Sequence, residues 1–141
     1  MATTRNASTH WEGTLFEGAG KVTLESSGTG TYDVSWASRA EEANGKTSPE
    51  ELIAAAHSSC FSMALSNGLA KAGTPATSLD TNAAVDFVPG TGITEIRLTV
   101  KAVVEGLSNE DFVAAAEAAK VGCPVSQALA AVPIKLEASL A

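Results

Sequence analysis

The sequence predicts a single α+β domain over residues 1–141, with the element order βββ-α-ββ-αα-β. Three observations carry that expectation. Three short β-forming stretches separated by glycine open the chain. One long uncharged helix occupies its middle. Two further strands, a helical pair and a last strand complete it. With 45% of the residues hydrophobic and 18% charged, the chain has room for a real core and is neither disordered nor fibrous.

The opening stretches are "HWEGTLF", "GKVTLES" and "GTYDVSW", with "EGAG" and "SSGTG" between them. "ASRAEEANGKT" follows as a polar, charged loop. The long helix has a clear start: Ser48 as N-cap, Pro49 at the first helical position and Glu51 three residues after the cap. Gly73, with Pro75 beyond it, is the stop signal. "SLDTNAAVDFV" and "ITEIRLTVKAVVE" are the next two strands, the second alternating through Ile96, Leu98 and Val100. A second helix runs from the capping Ser108 to about Val121. In "GCP", Gly122 can end that helix and Pro124 can begin another, which places Cys123 at the N-cap of "PVSQALA". "VPIKLEASL" closes the chain as a strand.

Charge and composition narrow the function. Nine Lys and Arg stand against 16 Asp and Glu, a net charge of -7. That balance argues against a sequence-blind nucleic-acid binder and against docking to an anionic membrane. From Leu52 to Ala70 there is no Asp, Glu, Lys or Arg, yet the stretch holds His57, four serines and Asn67 and is otherwise largely alanine. It is too polar for a membrane span and reads as a helix buried in protein. Such a helix needs cover on every side, and half a chain of sheet covers one, so a second subunit is expected on the other. "MATTRNASTHWEGTLFEG" has no apolar run of signal-peptide length, and a cytoplasmic location is expected. In a reducing compartment two cysteines are more often catalytic than a permanent staple.

Cys60 and His57 lie one turn apart on one helix face. Either alone is ordinary packing material: free cysteine is among the most buried residue types. Together with Cys123 they could make a three-ligand zinc site with an open position, although His10 is the only other histidine. Thiol redox chemistry fits better. An N-cap prefers Ser, Thr, Asp or Asn, so Cys123 is poorly explained as packing, and the helix dipole there favours a thiolate. Local reasoning thus makes Cys123 the nucleophile. Cys60 would need a cation, since an unperturbed thiol is only about 3% ionised at pH 7. Arg39, in the polar loop, is the candidate, and Glu50 in the first helical turn could orient it through a bidentate pair. Their plainer readings are a solvated loop charge and a partner of the helix dipole. Glu50 precedes Cys60 by ten residues, about 15 Å along one helix. To serve one site, one of them must come from a partner subunit, or the helix must break.

"HWEG", "SPEELIAAAHSSCFSMAL" and "GCPVSQAL", in that order, resemble the OsmC/Ohr family of cysteine-based peroxidases, from about residue 9 to the C-terminus. "HWEG" and the "AAH" before the cysteine are more similar to the OsmC branch. The resemblance implies an intertwined homodimer, two long helices wrapped by sheet, with the active site at the subunit interface and no metal or organic cofactor. It implies that Cys60 is the peroxidatic cysteine, Cys123 the resolving one, and Arg39 with Glu50 the pair that activates Cys60. It overrules the local preference for Cys123, since a buried charge pair shifts a thiol further than a solvated helix end does. The implied substrates are organic hydroperoxides and H2O2, with an external dithiol, of dihydrolipoyl type, as reductant. The apolar neighbours Leu52, Phe61 and Met63 suit an alkyl or aryl group. A non-enzymatic thiol redox sensor or binding protein is the competing class, and a hydrolase or transferase using a Cys–His pair is third.

Overall fold

The structure is a computed structural model and describes all 141 residues. Its elements are β1 (Ser8–Glu12), β2 (Ala19–Thr23), β3 (Thr31–Val34), α1 (Trp36–Ala40), α2 (Pro49–Lys71), β4 (Ser78–Val88), β5 (Gly92–Val103), α3 (Asn109–Gly122), α4 (Pro124–Ala128) and β6 (Ile134–Leu140). The expected α+β order is therefore present, with one short helix more than expected. Two compact units divide the chain, Met1–Leu52 and Ile53–Ala141.

In the first unit β1, β2 and β3 form an antiparallel meander, with Trp11 opposite Gly20 and Lys21 opposite Asp33. β1 stops at Glu12 because Gly13 turns the chain with φ +90°, and the Trp11 indole N–H donates to the Gly13 carbonyl at 3.0 Å. The return loop closes on Gly18, whose N–H donates to the Thr14 carbonyl at 2.7 Å. A Cβ on Gly18 would collide with the carbonyl oxygens of Glu12 and Thr14. Gly18→Ala is accordingly expected to cost about 2 kcal/mol as an overpacked site, read as a lower melting temperature.

The polar loop after β3 begins as a helix instead. Ser35 and Ser38 cap α1 reciprocally: the Ser38 amide donates to Ser35 Oγ at 3.1 Å and the Ser35 amide to Ser38 Oγ at 3.0 Å. The buried Ser38 hydroxyl also reaches the Thr47 carbonyl at 3.0 Å. A bridge between Val34 and Thr47 ties the loop at its far end. Arg39 thus rides on a fixed turn rather than a free loop. Ser48 caps α2, accepting from the Glu51 amide at 3.2 Å, as the sequence predicts.

In the second unit α2 ends in a Schellman closure. Gly73, at φ +86°, donates to the Ala70 carbonyl at 3.1 Å and Thr74 to the Leu69 carbonyl at 2.9 Å. β4 and β5 are antiparallel, and β6 returns parallel to β5 after the α3–α4 crossover. Alternation places Ile96, Leu98, Val100 and Ala102 of β5 inside and Arg97, Thr99 and Lys101 outside. Leu98, Val100 and Ala102 pack with Phe61, Leu65 and Leu69 of α2 and with Phe112, Ala116 and Ala119 of α3. On α2 the stripe His57, Phe61, Leu65, Leu69 is buried. The other side of the same helix exposes Ala55, Ala56, Ser59, Met63 and Asn67, without a charge among them. No helix is long and apolar enough to cross a membrane.

Candidate active site

The first unit brings Arg39 and Glu50 together. The Arg39 Nε–H donates to both carboxylate oxygens of Glu50, at 3.0 and 3.2 Å, and Nη2 lies 2.9 Å from Oε1. Glu50 is only 7% exposed, and a carboxylate that dry needs such a partner. The pairing anticipated from the sequence is therefore formed: α1 presents the guanidinium and the first turn of α2 presents the carboxylate.

The second unit brings the two cysteines together. Their sulfurs are 2.9 Å apart, both as free thiols. Cys60 lies on α2, half-buried; Cys123 is fully buried. Two helices position Cys123. Its amide donates to the Ala119 carbonyl at 2.9 Å, ending α3, and its carbonyl accepts from the Gln127 amide at 3.1 Å, starting α4. Pro124 occupies the first turn of α4.

Electrostatics within the unit divide the pair. Burial pushes the Cys60 thiol up, and its hydrogen bond with Cys123 pushes it further. Burial would raise Cys123 as well, but the hydrogen bond with Cys60, the Ser126 amide and hydroxyl and the Val125 amide outweigh it and hold that thiol below its ordinary value. The direction is the one local sequence reasoning expected, but the first of the lowering causes is the hydrogen bond with Cys60 rather than the start of α4. Cys60 receives no cation from its own unit.

His57 is wholly buried one turn before Cys60, its Nε2 2.7 Å from the Ser126 hydroxyl. Burial lowers its pKa, so the ring is neutral near pH 7. No group of three or more His, Cys, Asp and Glu side chains is placed to hold a metal ion, His57, Cys60 and Cys123 included. Among the apolar residues expected near the sulfur, Met63 is 72% exposed and Leu52 half-buried, whereas Phe61 is fully buried. Its place in the α2 core stripe makes Phe61 a packing residue rather than a substrate wall. Ser126 is the residue that sequence reasoning missed. Its only signal was a spacing of three from Cys123, the reach of an N-cap side chain.

Fold and site define an α+β protein with a dithiol centre between a long helix and the α3–α4 junction. The chain belongs to the OsmC family: the family model "OsmC-like protein" matches residues 42–137, which include Glu50, Cys60 and Cys123 but not Arg39. It is 42% identical to Peroxiredoxin OsmC of Escherichia coli (strain K12) over 134 residues, 93% of each chain. Its fold is similar to that of an organic hydroperoxide resistance protein from Elizabethkingia anophelis (TM-score 0.72, 23% identity, 100% of both chains). The organic hydroperoxide resistance protein OsmC from Legionella pneumophila is likewise similar in fold (TM-score 0.71, 24% identity, 99% of this chain and 98% of that one).

Proposed function

We propose that this chain is a cysteine-based peroxidase that reduces organic hydroperoxides, and H2O2, through a Cys60–Cys123 disulfide. The observation that carries the reading is the pair of free thiols with sulfurs 2.9 Å apart, one half-buried and one at a helix N-terminus. The Cys60 thiolate attacks the distal oxygen of ROOH; the S–O bond forms, the O–O bond breaks, and the alkoxide leaves and is protonated to ROH. Cys60 is then a sulfenic acid. Cys123 attacks that sulfur, the disulfide forms and hydroxide departs. An external dithiol, of dihydrolipoyl type, takes over the disulfide and returns both thiols.

The functional unit is the whole chain, residues 1–141, as a homodimer. Its uncharged exposed α2 face is the surface a second copy covers. Arg39 then meets Cys60 across the subunits, where its guanidinium stabilises the thiolate and hydrogen-bonds the peroxide, while Glu50 fixes the guanidinium. Met63 and Leu52 supply apolar surface for the alkyl or aryl group. The protein acts in the cytoplasm.

Turnover separates this reading from a sensor. With cumene hydroperoxide and dihydrolipoamide in excess, alcohol is expected to accumulate to many equivalents per subunit. A burst of a single equivalent, with no further consumption, would make the protein a redox sensor instead.

A further inference from the structure

The two sulfurs that oxidation would join differ in how much of each meets solvent. Cys60 is half-buried at the edge of the core, and Ala56 and Met63, one turn before and after it on α2, are exposed. Cys123 is 0% exposed and belongs to the core cluster that holds Phe112, Ala116 and Ala119 of α3. Its backbone is fixed as well, since its amide closes α3 and its carbonyl opens α4. The sulfurs already stand 2.9 Å apart, so joining them needs a shift of only about 1 Å and leaves Cys123 enclosed.

We propose that the external dithiol attacks the Cys60–Cys123 disulfide at the Cys60 sulfur, with Cys123 as the enclosed leaving group. The inference rests on the reading of the two cysteines as the redox pair. Exchange at a disulfide depends on which sulfur is attacked and on access to it. The incoming thiolate approaches a sulfur from the side opposite the bond that breaks. Every side of Cys123 is covered by protein, so that approach is closed to a reductant. Cys60 keeps an open side, the one the hydroperoxide uses.

The reductant's first thiolate bonds to the Cys60 sulfur, the Cys60–Cys123 bond breaks, and Cys123 keeps the electron pair as a thiolate. The reductant's second thiolate then attacks the reductant's first sulfur in that mixed disulfide. The reductant closes its own disulfide and Cys60 leaves as a thiolate. Two electrons pass from the dithiol to the cysteine pair, and the dithiol's two protons replace those lost when the pair was oxidised. Peroxide and reductant therefore meet the same sulfur in turn, and Cys123 stays in the core throughout the cycle.

Two measurements test the proposal. Wild type is converted to its disulfide by one equivalent of cumene hydroperoxide, and in a parallel sample by diamide. Each is mixed with excess glutathione, quenched in acid and mapped by peptide mass. Glutathione is expected on Cys60, with Cys123 free. The second measurement follows dipyridyl disulfide with the single-cysteine variants, which runs the same kind of exchange in reverse. Rates are compared at each variant's high-pH plateau, where the thiol is fully ionised and only access differs. Cys60 in Cys123→Ser is expected to react about 100-fold faster than Cys123 in Cys60→Ser, which waits for the core to open. In guanidinium the two should converge. Glutathione on Cys123 as much as on Cys60, or comparable plateau rates in the folded variants, would overturn the proposal. Where Cys123 recaptures Cys60 so fast that the adduct stays scarce, the plateau rates decide. If peroxide gives no disulfide and diamide does, the peroxidase reading fails by itself, and the diamide sample still shows which sulfur is attacked.

Discussion

Cys60→Ser is expected to abolish hydroperoxide reduction, a loss on the order of 10⁴-fold or more, as removal of a nucleophile gives elsewhere. Cys123→Ser should instead complete the first step and stop there. After one equivalent of peroxide its intact mass should rise by about 16 Da, the signature of a sulfenic acid on Cys60. Wild type should lose two thiols and gain no oxygen. The experiment matters because the electrostatics inside one chain point the other way: burial raises Cys60, whereas hydrogen bonds, first of all the one with Cys60, lower Cys123. Two considerations support the proposal that the peroxide is met by Cys60. It is half-buried and peroxide can reach it, while Cys123 is enclosed. A cation supplied from a second subunit would also act on Cys60 in addition to whatever its own chain provides. If the oxygen appeared on Cys123 in Cys60→Ser, and Cys123→Ser stayed unreacted, the assignment of the two roles would have to be exchanged.

How much of this was legible in the sequence depends on how local each signal is. The long helix was placed almost to the residue, because Ser48, Pro49 and Gly73 are strong punctuation, and their hydrogen bonds are formed. β4 occupies "SLDTNAAVDFV" as read. The short helix α1 was hidden because its box is closed by Ser38, where the usual signature has Glu or Gln. The first strands end early where glycines such as Gly13 turn the chain, and composition alone does not say which glycine turns. At the site, the Arg39–Glu50 pair was legible because Arg39 is the one arginine between the third strand and the long helix. The His57–Ser126 contact was not, since it joins positions 69 residues apart and depends on how α4 packs. Phe61 looked like pocket lining from its neighbour Cys60. Its four-residue spacing to His57 and Leu65 turns it inward instead.

Arg39→Ala is expected to lower the rate of Cys60 oxidation on the order of 100-fold or more at pH 7, for two separable reasons. An unperturbed thiol is about 3% ionised at that pH, so removing the cation costs up to about 30-fold in reactive thiolate. The lost hydrogen bond to the peroxide adds about another 10-fold. Only the first loss is recovered by raising the pH, so the variant's rate should climb through pH 9 while that of wild type levels off. Arg39→Lys, which keeps the charge and loses the bidentate fork, should fall between them. Because Glu50 is buried, Arg39→Ala also leaves a carboxylate unpaired, and the double variant Arg39→Ala/Glu50→Gln separates that loss of stability from the loss of rate. The arrangement in space is tested by mixing subunits. α2 runs unbroken from Pro49 to Lys71, so the ten residues from Glu50 to Cys60 span about 15 Å along one helix. If Arg39 of one subunit serves Cys60 of the other, refolding inactive Cys60→Ser with inactive Arg39→Ala in equal amounts regenerates one intact site in each mixed dimer. Random pairing makes about half the dimers mixed, so roughly a quarter of wild-type activity should return, as for any site shared between subunits. If the mixture stays as inactive as its parents although mixed dimers form, Arg39 and Cys60 do not meet across the interface. A monomeric mass by light scattering would remove the shared site altogether.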